Sequence, residues 1–199
     1  LPALFRYPLV MTIVGLLTVL VLMTINSVQV GMKYQRWTEL AVFLLFGPIL
    51  TVGYQISCGG KIEEEIVFLG IVTGWFSVFT LHLKNFQQLM QNSQAQFDNT
   101  VAFLGFEKGK KFLVFWWLIF LILFNVYHFS FTSLYWAWIL CVASSLISLP
   151  FIGSTLSLES PLGSGMERVF YLGRVMYLFI LSLWFLENAF YLISAEFAF

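Results

Sequence analysis

Six stretches of this chain stay apolar for long enough to cross a hydrocarbon core of ~30 Å at about 1.5 Å per residue of helix. They lie at Pro8–Ile25, Leu40–Ile56, Ile66–Leu83, Phe112–Phe129, Thr132–Ile152 and Val169–Ile193. None alternates between apolar and polar residues, which excludes membrane strands and leaves helices, the form in which a backbone in lipid satisfies its own hydrogen bonds. The chain is 60% hydrophobic and 10% charged, with a mean hydropathy of +0.88, a profile for which a soluble domain has no use. The expected fold is therefore all-α, a polytopic transmembrane bundle of six helices forming a single domain over 1–199.

Lysine and arginine are retained on the cytoplasmic side during insertion, so their distribution sets orientation. Lys33, Arg36, Lys84, Lys108, Lys110, Lys111 and Arg168 fall on one face, whereas Arg6 and Lys61 fall on the other, Lys61 beside Glu63, Glu64 and Glu65. The 84–111 loop is accordingly expected in the cytoplasm, with Leu1 and the C-terminus on the opposite side. Leu1 reads as the start of a fragment, since no initiator Met, basic leader or cleavage signal precedes the first run. An intact protein beginning in the cytoplasm then carries an odd number of helices before Leu1. A formal net charge of zero argues against nucleic acid as a partner, and Cys58 and Cys141 are too few to define a redox compartment.

Several signals concern packing. Gly70 with Gly74, and Ser144 with Ser148, are small residues one turn apart that permit close helix approach. Gly47-Pro48 predicts a kink in the second run, because proline lacks the backbone donor and crowds the preceding turn. Trp116, Trp117, Trp136 and Trp138 are expected mostly to face lipid or its interface. His82 and His128 end successive runs at opposite faces and cannot share a metal.

Chemistry is expected in His82–Lys111, the polar exception in an apolar chain. Gln88 and Asn92 would share a face if the third helix runs on past the membrane, though amides are weak ligands for a hard cation. Asp98-Asn99-Thr100 before an apolar run is a helix N-cap signal, with Asp98 also a candidate ligand. Glu107 to Lys111 reads as a charged turn ahead of the next span. In the last run, Arg174 can snorkel to the headgroups or serve a site, and Glu187 is expected to bond a neighbouring helix or a partner protein.

Tyr34, Arg36, Glu39 and Leu40, followed by FLLFGPILTVGYQ, resemble the UbiA superfamily of intramembrane prenyltransferases, closest to the branch acting on 1,4-dihydroxy-2-naphthoate for menaquinone. That branch typically reads YRGLGELxVFLFFGPLxVxGxYY. Lys84-Asn85-Phe86-Gln87-Gln88 falls on the family's NNxRD, Asn92 on the last Asp of that motif, and Thr100 to Gly105 on a TLAVRLG-like segment with one extra residue between. The resemblance covers 30–111, and the remainder only by hydropathy. It implies the last six helices of a nine-helix UbiA-type fold in a bacterial inner membrane, with the first Asp-rich motif outside this sequence.

The activity implied is transfer of a polyprenyl group from a Mg²⁺-bridged polyprenyl diphosphate to an aromatic acceptor. On that correspondence Gln88 and Asn92 occupy the positions of the Asp pair and, with Asn85, are the catalytic candidates. Lys84, Gln87, Tyr34, Arg36, Tyr54 and Arg174 are the substrate-binding candidates, and Asp98 the metal ligand. Both carboxylates are replaced by amides and the arginine by Gln87, so a second reading stands beside the enzyme: a pseudoenzyme that binds a quinone, pigment or membrane lipid, or a subunit of a membrane complex with its partner on the last helix at Glu187. A small-molecule transporter is a third reading, with few polar intramembrane groups behind it.

Overall fold

The computed structural model describes Thr12, Gly15, Leu16, Thr18 and Val19 together with residues 37–94, 99–162 and 164–196. The first expected span falls largely outside these. Every element among the described residues is helical: α1 (Thr38–Ser57), α2 (Glu64–Gln87), the short α3 (Leu89–Gln94), α4 (Thr100–Phe131), α5 (Leu134–Leu156) and α6 (Ser164–Glu196). Five of them, all but α3, are long and apolar enough to cross a membrane. Their outward faces carry exposed Leu50, Ile122, Leu146, Leu149 and Phe185, which hydrocarbon accepts without cost. The chain divides into two compact units, Leu1–Tyr127 and His128–Phe199.

In the first unit, α1 and α2 form an antiparallel hairpin. Gly59 has φ +79°, a conformation suited to glycine, and ends α1 in a Schellman turn: its N–H reaches the Ile56 carbonyl at 2.9 Å and that of Gly60 reaches Gln55 at 3.0 Å. Halfway along α1 the expected kink is present as a π-helical turn over Leu45–Ile49, with Gly47 at φ −101°, ψ −111°. The Thr51 hydroxyl donates to the Gly47 carbonyl at 3.0 Å, occupying an acceptor near the proline break. A Cβ on Gly74 would lie 2.7 Å from the Phe43 carbonyl and one on Gly47 2.8 Å from the Gly74 Cα, so these glycines bring the two backbones together as expected.

The helix α4 packs antiparallel to α2 through rings along its length. Tyr127 stacks on Phe68 and donates to Glu65 at one end; Phe120 meets Phe76 and Trp117 meets Phe79 in the middle; Phe106 stacks on Phe86 at the other end. Trp117 is 0% exposed. The expectation that most of the four tryptophans face lipid is met by the exposed Trp138 and not by Trp117, while Trp116 and Trp136 are half-buried. Two further corrections concern the polar connection. The helix α2 does not run on: Gln88 caps it at φ −92°, ψ 14° and a separate short helix follows. Glu107 to Lys111 is helix, not turn, because α4 begins well before its apolar portion. Its N-cap is Asn99, whose side-chain oxygen accepts the Ala102 N–H at 2.8 Å. Within α4, Gly105 breaks helical geometry at φ 72°, ψ 179°.

In the second unit, α5 packs against α6. Ser144 and Ser148 are buried, as close approach requires, and their hydroxyls turn back onto the carbonyls of Cys141 and Ser144. Such local bonds let small polar residues sit in an apolar interface without an unmet donor.

Candidate functional site

Glu39 lies in the first turn of α1 and His82 near the end of α2, equidistant from the turn that joins the helices. Equal depth brings them together: His82 Nδ1 is 2.8 Å from Glu39 Oε1. An ionised carboxylate only accepts, so in that state the donor of this pair is His82 Nδ1–H. The imidazole is 0% exposed and the carboxylate 12%. Its Nε2 is shielded from solvent and has no hydrogen-bond partner among the described residues.

Beside this pair is a pocket of about 380 Å³ lined by Trp37, Glu39, Leu40, Phe43, Trp75, Val78 and Trp116, a size within the ~300–1,000 Å³ common for small-molecule sites. Helical spacing explains the lining. Leu40 and Phe43 are one turn apart on α1, and Trp75, Val78 and His82 follow one stripe of α2. On α4, Phe112 and Trp116 form another such pair. The rings hold each other: Phe43 meets Trp75 edge-on at 5.9 Å, Trp75 meets Trp116 at 4.6 Å, and Phe112 contacts both Trp116 and His82. Trp75 Nε1 donates to the Trp116 carbonyl at 3.2 Å, whereas the shielded Trp116 Nε1–H has no acceptor among the described residues.

The residues singled out from sequence are dispersed. Lys84 and Gln87 are exposed on the last turn of α2, with Asn85 and Gln88 half-buried. Asn92 lies across the helix break, in α3. Tyr34, Arg36 and Asp98 fall outside the described residues. Tyr54 lies on α1 about 22 Å of helical rise from Glu39, toward the end of the hairpin remote from Lys84, and is exposed. Arg174 is exposed on α6, in the second unit. No group of three or more His, Cys, Asp or Glu that could hold a metal occurs among the described residues. The described candidates offer neutral amide oxygens with an ammonium beside them, a donor set that does not fit Mg²⁺.

Glu187 is 2% exposed, and its Oε2 lies 3.2 Å from His128 Nδ1, an ion-pair distance without hydrogen-bond alignment, with Trp184 edge-on to the imidazole at 6.0 Å. Of the two expectations for Glu187, this contact meets the neighbouring helix. Lys110 is likewise held inside, 3.0 Å from Glu107 and over the Phe106 ring.

Sequence reasoning passed over the aromatic pocket. Its available signal was a carboxylate and an imidazole at matching distances from one tight turn, Glu39 at the start of one apolar run and His82 at the end of the next. Compared with protein-family models, with curated proteins and with solved structures, the chain matches none.

Proposed function

We propose that this chain is a membrane protein of UbiA-like type that binds a membrane-soluble ligand and does not transfer a prenyl group. The aromatic pocket carries the reading: among the described residues its wall is made of rings with one carboxylate, Glu39, and no Lys or Arg that could hold a diphosphate. The amides at Gln88 and Asn92 support it, because neutral donors cannot replace the charge of two metal-bound carboxylates. The resemblance offers a quinone, a pigment or a membrane lipid as ligand and a bacterial inner membrane as the location, and the positive-inside bias supports a cytoplasmic 84–111 connection.

The test is diphosphate release from a polyprenyl diphosphate by the purified full-length protein with Mg²⁺, with and without a naphthoate or benzoate acceptor, alongside mass analysis of what co-purifies. A retained amphipathic ligand without turnover is expected. Acceptor-dependent turnover abolished by Asn92→Ala would overturn the binding reading and establish prenyl transfer.

A further inference from the structure

The polar groups around the aromatic pocket select among ligands. Glu39 presents only acceptor oxygens, and His82 occupies one of their sites at 2.8 Å. An anionic head is therefore repelled, and a group bearing only acceptors finds no complement at the carboxylate. Rings of Trp37, Phe43, Trp75 and Trp116 line the same space. Indole faces attract a cation within about 6 Å through their quadrupole, most strongly where water is excluded. Among the described residues no Lys or Arg lines this space; Lys84 is exposed two residues beyond His82. Trp37, 66% exposed at the end of α1, places the pocket near a span terminus, where an amphipathic molecule keeps its head.

We infer that this pocket binds an amphipathic amine, with its ammonium group between the indole rings and Glu39 as the counter-charge. The assignment rests on the binding reading above and adds the chemistry of the head group. A choline-type lipid and a free lipophilic amine share that chemistry. His82 acts as a positioning residue, fixing the Glu39 rotamer through Nδ1.

The test compares two probes of the same shape on the full chain in non-ionic detergent, by calorimetry and tryptophan fluorescence: phenyltrimethylammonium, and tert-butylbenzene, in which carbon replaces the charged nitrogen. The cation is expected to bind about tenfold tighter than the isostere. Glu39→Gln should narrow that preference, and Trp116→Leu should weaken the cation more than it weakens tert-butylbenzene. Equal binding of the two probes to the unmodified protein overturns the inference and leaves a neutral-ligand pocket, whether or not the variants fold. Failure of both probes to bind sinks the inference and the binding reading it rests on. A short-chain phosphatidylcholine that displaces phenyltrimethylammonium where the matching phosphatidylglycerol does not assigns the ligand to lipid; displacement by neither assigns it to free amines.

Discussion

Glu39 with His82, and Glu187 with His128, bury polar side chains among apolar helices, and each pair contains an imidazole that is 0% exposed. Removing one member strands the other, whereas removing both leaves an apolar contact. His82→Leu is expected to destabilise the protein by about 3–5 kcal/mol, and adding Glu39→Leu to recover most of the loss. Thermal unfolding of both single variants and the double variant in one detergent checks this. A double variant as unstable as the sum of the singles would show that the groups do not act as a pair. The partners were not legible in sequence, where Glu187 is expected to bond a neighbouring helix or a partner protein without either being named, and His82 reads as a helix-end residue. Partner choice depends on helix rotation and depth together, and only depth can be counted from a turn.

Hydropathy locates the part of a helix that meets lipid, so it placed α2 and α5 within a few residues of their ends but began α4 twelve residues late. The missing length starts where Asn99 caps the first turn, continues through the break at Gly105, and includes Lys108, Lys110 and Lys111. Asn99→Ala is expected to cost about 1 kcal/mol and to raise amide exchange over residues 100–104, with little change beyond Gly105. The π-turn of α1 was half legible: Gly47-Pro48 announces a break, whereas the widened turn depends on the backbone of α2 lying against it. Gly74→Ala places a methyl 2.7 Å from the Phe43 carbonyl, an overpacking expected to cost about 1–3 kcal/mol. Unchanged thermal stability in that variant would show that α1 shifts freely on α2.

For the molecule as a whole, membrane embedding removes a cue that works in water. Apolar residues face both lipid and protein, so period does not separate the buried Trp117 from the exposed Trp138. Orientation rests on lysine and arginine and is directly measurable. With Cys141→Ser in place, a membrane-impermeant maleimide should label the exposed Cys58 from outside intact cells, while Lys108→Cys in a cysteine-free background labels only after the membrane is opened. The reverse pattern would invert the assignment. The closeness of the Gly59–Gly60 turn also bears on biogenesis. Two spans joined so tightly are expected to insert together as one hairpin, with the Glu39–His82 contact closing its open end. A lesion at His82 is then expected to show as loss of α1 from the membrane, which cysteine accessibility on α1 would read.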